Sequence, residues 1–268
     1  MAMDYYKVNK LYPWLYSIKD PQNVFCYLAV GNERALLFDT VYGIGSLPMT
    51  IKKITDKPVC VVLGHGHLDH ANGSCQFDEA WVHEADFEVC RRDTSEEVRR
   101  ETLKQLKEWG VTLPEDFDPE VYVKGGTGNL KKLPVGKVFD LGGLHLEVIG
   151  MGGHTAGSIG LLVKEHKVLL VSDSANTQTW IFRLESLSVK QYISMLERVI
   201  KLDFDIFFMG HSDTPMPKSD FNKFINAARH AAIEKAEPFP LLPELKGFIY
   251  KEDGVEIVIS EATLTNNR

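Results

Sequence analysis

Residues 65–70, with the sequence His-Gly-His-Leu-Asp-His, constrain this chain more than any other segment. They place three histidines and one aspartate directly after an apolar run, 57–64, that is typical of a buried strand. Imidazole and carboxylate are the ligand types that suit zinc, iron or manganese. Gly64 and Gly66 allow the backbone to turn tightly enough to bring the four polar groups together. The segment therefore predicts a metal-binding loop.

Composition limits the class of protein and its partners. The chain has 268 residues, of which 44% are hydrophobic and 25% are charged, as in a globular protein with a full core. Its 30 basic and 37 acidic residues give a net charge of −7, so we expect neither a nucleic-acid partner nor a membrane partner. The four cysteines lack Cys-x-x-Cys spacing and the start of the chain has no apolar signal region, which predicts a cytoplasmic protein.

The first part of the chain predicts a strand–helix–strand unit that delivers the metal loop. Strands are predicted over 14–18, 23–30 and 34–39, and a helix over 46–55 has apolar residues at helical spacing. The strand before residue 65 follows this helix. We therefore expect residues 34–70 to contain two parallel strands joined by a right-handed crossover.

We interpret residues 1–268 as a single domain with a loop-rich insertion around 84–136. Helix is predicted over 84–110, whereas 112–136 reads as irregular and is either a lid over the site or a plain surface connection. The C-terminal part predicts a helix over 221–235 and a β-hairpin over 247–259. This hairpin could extend a sheet or pair with a second chain, so a homodimer is possible.

Three further polar residues follow apolar strands, as the metal loop does. His154, Asp173 and His211 each follow such a strand, with glycine or a small residue beside them. Ligands of α/β proteins gather at the carboxyl edge of the strands, so we expect these residues to converge on the loop. Together with the loop they make seven candidate ligands, which is enough for two ions.

The pattern resembles the metallo-β-lactamase-fold hydrolase superfamily. The resemblance rests on His-x-His-x-Asp-His at 65–70, His154 in Gly-Gly-His-Thr-Ala-Gly-Ser, Asp173 in Val-Ser-Asp-Ser and His211 in Gly-His-Ser. It extends from about Phe38 to His211. It implies an α/β fold in which two packed mixed β-sheets are covered by helices, a four-layer αββα sandwich.

The resemblance also implies a role for each site residue. The expected ligands of the first metal are His65, His67 and His154. Those of the second metal are Asp69, His70 and His211. Asp173 would bridge the two ions, and Asp39 would support the metal loop from outside the ligand set.

The complete set is most similar to the glyoxalase II and lactonase branches. Two divalent ions can share a water and lower its pKa, which gives a hydroxide that attacks a carbonyl or phosphoryl centre. Asp69 or Asp173 would accept or relay the proton. We expect Zn²⁺, with iron or manganese as alternatives, and a small-molecule ester, lactone or thioester as substrate. The short C-terminal tail makes a glutathione conjugate a less favoured substrate than a lactone or carboxylic ester.

Other functions remain open on the sequence. A single iron held by His65, His154 and Asp173 would resemble the persulfide dioxygenases, which are oxidoreductases. Phosphodiester hydrolysis is less favoured because the acidic balance offers few groups that grip phosphate. A binding module without catalysis usually shows eroded ligands, and none is eroded here.

The residues around the expected site allow further interpretations. Trp180 and Phe182 follow Asp173 in an apolar, irregular stretch, so they either line an acyl or aromatic pocket or pack against helices. Glu84 and Asp86 are expected to cap the following helix. The remaining histidines show no partner ligand types nearby in the sequence; they include His145, His166 and His230.

Overall fold

Two mixed β-sheets packed face to face form the centre of the structure, a computed structural model that describes residues 5–265. The first sheet contains, in spatial order, β1 Lys7–Tyr12, β2 Leu15–Lys19, β3 Phe25–Val30, β4 Ala35–Phe38, β5 Val59–Val62, β6 Ala80–Val82 and β7 Leu130–Lys132. The second contains β8 Val138–Asp140, β9 His145–Gly150, β10 Ile159–Val163, β11 Val168–Ser172, β13 Ile206–Met209 and β14 Ser212–Pro217. The single-domain prediction over 1–268 stays a prediction, and its residues 1–4 and 266–268 lie outside the described part.

Helices cover the outer faces of both sheets. The helices are α1 Leu47–Lys52, α2 Leu68–Ala71, α3 Phe87–Asp93, α4 Glu96–Glu108, α5 Pro119–Lys124, α6 Val189–Val199, α7 Phe221–His230 and α8 Glu261–Leu264. Apolar residues of α1, α3, α4 and α5 join the core on the outside of the first sheet. Those of α6 and α7 do the same on the second. A third apolar core fills the space between the sheets, so the predicted αββα arrangement is confirmed.

The expected crossover that leads to the metal loop is present. β4 pairs in parallel with β5, and α1 connects them. The Ser46 side chain caps this helix by accepting from the backbone N–H of Met49, and Pro48 occupies its first turn. The helix ends at Lys52, three residues before the predicted end. Turn hydrogen bonds from Ile54 and Thr55 to the carbonyl of Ile51 replace its last turn.

A third, four-stranded sheet adds to the two that were predicted. It contains β12 Gln178–Ile181, β17 Val255–Ile259, β16 Phe248–Glu252 and β15 Glu237–Pro238, in that spatial order. The predicted C-terminal hairpin is therefore confirmed, and its strand β17 pairs in parallel with β12 of the same chain. This pairing supports the strand that carries Trp180, and the homodimer stays a prediction.

The insertion is more regular than the sequence suggested. The expectation of irregular structure over 112–136 is wrong for α5, which begins at the Asp118 cap, and for β7, which pairs with β6. Arg99 of α4 is fully buried and donates to the backbone carbonyls of Thr94, Tyr122, Asn72 and Gly126. Because Asn72 directly follows the metal loop and α2, this arginine ties the insertion to the candidate site.

Other differences concern short elements and helix ends. The strands that the sequence did not predict are β1, β7, β8, β12, β14 and β15. They are short or polar, and most lie at the edge of a sheet, where one face or one side meets solvent and the apolar alternation is weak. The helix α7 ends at His230, before the predicted end at 235.

Candidate metal centre

The candidate ligands meet at one edge of the two central sheets. His65 is the third residue after the end of β5, and Asp173 is the first residue after the end of β11. β11 and β13 are parallel neighbours, and the backbone N–H of Gly210 donates to the carbonyl of Ser172 at 2.8 Å. This contact brings His211 next to Asp173, as the strand-end argument predicted.

The first group of candidate ligands contains His65, His67 and His154. One nitrogen of each imidazole lies within 4.8 Å of the others, and all three side chains are buried. Nδ1 of His67 is 2.8 Å from Nε2 of His154. Nδ1 of His154 donates to the backbone carbonyl of Trp180 at 2.8 Å, so its Nε2 carries the free lone pair. The three nitrogens therefore point at a common centre.

The second group contains Asp69, His70, Asp173 and His211, again within 4.8 Å of one another. Nε2 of His70 is 3.5 Å from Oδ2 of Asp69 and 3.3 Å from Oδ1 of Asp173. Oδ2 of Asp173 is 3.3 Å from Nε2 of His211 and 3.9 Å from Nε2 of His154. Asp173 therefore faces both groups, which is the position the resemblance implies for a bridging carboxylate.

The two groups differ in their electrostatics. Burial, reinforced by the neighbouring imidazoles, holds the pKa of His65 well below its usual value, and burial together with His67 lowers the pKa of His154 to about 3. In the second group burial alone would lower the pKa of His70, but the carboxylates of Asp173 and Asp69 outweigh it and raise that pKa well above normal. Burial therefore disfavours the charged forms of His65 and His154 in the first group, whereas the carboxylates of the second group favour the charged form of His70, as they would favour a bound cation.

The side chains of both groups fit divalent metal ions. Nε2 of His65 and Nε2 of His70 are buried and have no hydrogen-bond partner among residues 5–265. Buried polar nitrogens normally have a partner, and a metal ion bound through the nitrogen lone pair would be one for each of these two. The donor set consists only of imidazoles and carboxylates, which are ligands of zinc, iron and manganese.

Asp39 and Ser172 form hydrogen bonds to the candidate ligands on the side away from the centre. Oδ2 of Asp39 accepts from Nδ1 of His70 at 3.0 Å and from the hydroxyl of Ser172 at 2.7 Å, while Oδ1 accepts from the backbone N–H of Gly64 at 2.6 Å. The same hydroxyl is 3.3 Å from Nδ1 of His65. These bonds fix which ring nitrogen of each histidine faces the centre. Ser172 has a φ of 49°, a strained conformation for a residue other than glycine.

Asp86 has a different role from the one the sequence suggested. It makes no side-chain hydrogen bond to the start of α3, so the prediction that it caps this helix is wrong. Its buried carboxylate accepts from the backbone N–H of Gly66 at 2.9 Å, the backbone N–H of Gly157 at 2.8 Å and the hydroxyl of Thr155 at 2.7 Å. It therefore links the metal loop to the loop that carries His154.

Glu185 is a residue of the site that the sequence reasoning missed. Its Oε1 lies 2.6 Å from Nε2 of His67, and the same carboxylate binds Arg92 and Arg183 at 3.0 and 2.8 Å. These cations and His67 outweigh its burial and hold its pKa far below normal. Two of its three partners, His67 and Arg92, come from the metal loop and the insertion, so the sequence around Glu185 does not identify it as a site residue.

Trp180 and Phe182 lie in different environments. Phe182 is 1% exposed and packs in an apolar cluster with Phe239, Ile249 and Val258, so it is part of the core. Trp180 is half-buried, and its ring contacts Phe182 and Phe239 at 5.5 and 5.4 Å between centroids. Since its carbonyl binds His154, Trp180 remains the candidate for contact with substrate.

The remaining histidines do have partners. His145 pairs with Glu165 at 2.5 Å, and His230 pairs with Glu252 at 2.9 Å, so the expectation that these two lack partner ligand types is wrong. His166 stacks on Trp14 with 4.4 Å between ring centroids. All of these partners come from elsewhere in the chain. Among the described residues, no helix is long and apolar enough to cross a membrane.

Comparison with known proteins adds a family and several relatives. The family model for the metallo-beta-lactamase superfamily matches residues 20–211. The curated protein "Acyl-coenzyme A thioesterase MBLAC2" from Gallus gallus is 28% identical over 187 residues, which cover 66% of this chain and 66% of that protein, just under two thirds. The protein of the same name from Homo sapiens is 28% identical over 190 residues, covering 66% and 67%.

Solved structures show the same fold. A metallo-beta-lactamase family protein from Thermus thermophilus has a TM-score of 0.60 at 19% identity, with 82% of this chain and 81% of that chain covered. An archaeal superfamily protein from Sulfolobus tokodaii has a TM-score of 0.56 at 18% identity, with 86% and 93% covered. At these identities the similarity concerns the fold alone.

Proposed function

The chain belongs to the metallo-beta-lactamase superfamily, and on that premise we propose that it is a metal-dependent hydrolase of thioesters of the acyl-coenzyme A class. The observation that carries the proposal is that the three-histidine group and the group of histidines and aspartates meet at Asp173. Relatives named acyl-coenzyme A thioesterase support the choice of a thioester. Lactones and carboxylic esters, which the sequence favoured, react by the same attack on a carbonyl and are alternative substrates.

We propose that two divalent ions bind, one to each group, with Asp173 between them. His65, His67 and His154 would hold the first ion, and Asp69, His70 and His211 the second. When bound, such a pair of ions supplies a nucleophilic water of lowered pKa and polarises the carbonyl oxygen of the substrate. Zn²⁺ is the expected metal, with iron or manganese as alternatives.

The protein itself would position the reactants and handle the proton. The Asp69 side chain is 21% exposed and lies beside His70 and His211, so it can meet the incoming water and accept its proton. His211, with a side chain 37% exposed, forms the open rim of the second group. The backbone carbonyl of half-buried Trp180 binds His154, so its ring is the candidate surface for the acyl chain.

Metal analysis combined with a substrate panel tests this function. The zinc-loaded protein should bind two ions per chain and hydrolyse octanoyl-coenzyme A faster than a matched octanoyl ester, a lactone or a phosphodiester. One iron per chain together with oxygen uptake on a persulfide would contradict the proposal and support the oxidoreductase alternative. Preferred hydrolysis of the phosphodiester would contradict the substrate class.

Two matched histidine variants distinguish the loss of a candidate ligand from a general loss of folding. His154→Ala should abolish hydrolysis and reduce the bound metal. His166→Ala should leave both unchanged, because His166 stacks on Trp14 at the β10–β11 turn, at the opposite end of β11 from Asp173. Equal activity of the His154→Ala variant and the wild type would overturn the proposed centre.

A further inference from the structure

A group of polar side chains that the proposed chemistry does not use lies beside the second ligand group. β2 ends and β3 begins at the edge of the sheet that carries the candidate ligands, so the turn 20–24 between them lies at that edge. The backbone N–H of Phe25 donates to the carbonyl of Gly210 at 2.8 Å, directly before His211. Asp20 and Gln22 of this turn are therefore neighbours of the centre.

Several polar atoms in this region are buried without a partner. Ten buried side-chain nitrogen and oxygen atoms lack a hydrogen-bond partner within residues 5–265, and four of them belong to Asp20 and Gln22 of this turn and to Tyr5, which is within electrostatic reach of both. A fifth belongs to Asn72, which directly follows α2. The five atoms are the Tyr5 hydroxyl, Oδ2 of Asp20, Oε1 and Nε2 of Gln22, and Oδ1 of Asn72. Native proteins leave few buried polar atoms unpaired, so this concentration indicates a site for a polar ligand or for water.

Electrostatic coupling shows that these residues are close to one another and to the ligands. Burial and then Asp20 raise the pKa of Tyr5, whose hydroxyl lies beside the Gln22 amide without reaching hydrogen-bond geometry. Burial, followed by Asp69 and Asp20, raises the pKa of Tyr42 far above normal. We name Tyr5, Asp20, Gln22, Tyr42 and Asn72 the polar cluster.

The turn that carries Asp20 uses one of its two carboxylate oxygens, and the second lies near the backbone N–H of Tyr42 without reaching hydrogen-bond geometry. Oδ1 of Asp20 accepts from the backbone N–H groups of Gln22 and Val24 at 2.9 and 3.0 Å. Asp20 is 1% exposed, whereas Gln22 and Tyr5 are half-buried and could move aside for a ligand. Asn72 follows α2 and donates through Nδ2 to the Tyr122 hydroxyl at 3.2 Å, which leaves its Oδ1 unpaired.

The available groups match an amide. Asp20 and Gln22 offer unpaired acceptors, Gln22 and Tyr5 offer unpaired donors, and Tyr5 lies within electrostatic reach of both other residues. The unpaired Oδ1 of Asn72 adds an acceptor beside Tyr122, which is also within electrostatic reach of Tyr5. An amide needs one acceptor for its N–H and one donor for its carbonyl. A carboxylate or phosphate would be repelled by Asp20 and Asp69, and a purely apolar group would leave all five atoms unpaired.

From this arrangement we propose that the polar cluster binds a neutral amide on the leaving-group side of the scissile bond. The inference rests on the proposed function. Coenzyme A thioesters carry an amide two methylene groups beyond the sulfur, which places it next to the reacting carbonyl. Binding it beside Asp69 would orient the thioester at the second ligand group and distinguish it from esters and thioesters that lack an amide.

Two synthetic substrates with the same acyl chain test the proposal. S-octanoyl-N-acetylcysteamine has the amide, and S-octanoyl-pentanethiol has methylene groups in its place. Gln22→Leu should lower kcat/KM for the first by about tenfold, as expected for loss of hydrogen bonds in a desolvated site, and change the second by less than about twofold. Tyr5→Phe should act in the same direction, and Gln105→Leu on the exposed face of α4 is the matched control.

The outcomes separate the two proposals. Equal losses with both substrates in the Gln22→Leu variant, or no loss with either, would overturn the amide site while leaving thioester hydrolysis intact. Failure of the wild type to hydrolyse octanoyl-coenzyme A as well as both synthetic substrates would overturn the proposed function itself. As a readout independent of activity, saturation-transfer NMR on chelated protein should show N-butylacetamide bound to the wild type and not to Gln22→Leu. No transfer to the wild type would overturn the amide site.

Discussion

The Glu185 carboxylate lies 2.6 Å from Nε2 of His67, on the opposite side of the imidazole from Nδ1, which faces His154. This contact fixes the ring orientation, so that Nδ1 is the nitrogen that faces the other candidate ligands. Arg92 and Arg183 bind the same carboxylate, so the position of His67 depends on both the insertion and the loop after β12.

Weakening this contact should reduce metal affinity without unfolding the protein. Glu185→Gln is expected to lower the zinc affinity of the first group by about 10- to 100-fold, because the partners of metal ligands typically contribute that much. Competition titration with a chelator measures it. Glu197→Gln is the control, since Glu197 pairs with Arg229 on the surface. An unchanged affinity in Glu185→Gln would show that Glu185 does not orient His67.

Asp86 should matter for stability even without metal. Asp86→Ala leaves the backbone N–H groups of Gly66 and Gly157 buried without an acceptor, so we expect a loss of about 3 kcal/mol in the free energy of unfolding. Urea unfolding of the chelated protein measures this loss. Asp118→Ala removes an exposed helix cap and should cost about 1 kcal/mol. Equal losses in the two variants would contradict the linking role of Asp86.

Asp20 should make stability depend on pH. Burial raises its pKa from 3.8 to about 6, so the folded state binds this proton more tightly than the unfolded state does. Its contribution is therefore largest below pH 4 and is lost as the pH rises from about 4 to about 6, by about 3 kcal/mol. Asp20→Asn keeps an oxygen for the turn and should remove this dependence.

Unfolding of chelated wild type and Asp20→Asn at several pH values measures the effect. The free-energy difference between them should move in favour of the variant by about 3 kcal/mol between pH 4 and pH 7. A difference that stays constant across this range would show that Asp20 is ionised in the folded protein at pH 4.

Trp180 should influence the acyl chain more than the chemical step. Trp180→Ala is expected to raise KM for octanoyl-coenzyme A about tenfold and to change KM for acetyl-coenzyme A little, because burial of the longer chain against the ring is lost. Trp14→Ala is the control, since Trp14 lies at the opposite edge of the sheets beside His166. Unchanged KM and kcat for every accepted substrate would contradict the pocket.

The sequence predicted the elements that lead to the site better than the surroundings of the site. The parallel pair β4–β5 and the apolar strands before Asp173 and His211 are continuous apolar runs, and the structure contains all of them. It also brings the seven candidate ligands into two groups, whose role as ligands stays a prediction. These features follow from local hydrophobic pattern and from the rule that polar side chains gather at strand ends.

The supporting residues could not be predicted in the same way. Glu185, Asp86 and Ser172 act on residues 20 to 118 positions away in the chain. An isolated acidic residue or serine has the same local pattern whether it caps a helix, lies on the surface or binds a ligand loop. Its role depends on what packs against it, and so only the folded chain could assign it.

By itself the sequence determined which residue types are available for metal binding and at which strand ends they lie, because strand formation and loop position depend on local apolar pattern. Only the tertiary structure decided which nitrogen of each histidine faces the centre, that Phe182 is core while Trp180 borders His154, and that unpaired polar atoms concentrate near Asp20. The physical reason is that burial and hydrogen bonding arise between segments distant in sequence, and these interactions set orientation, charge state and access.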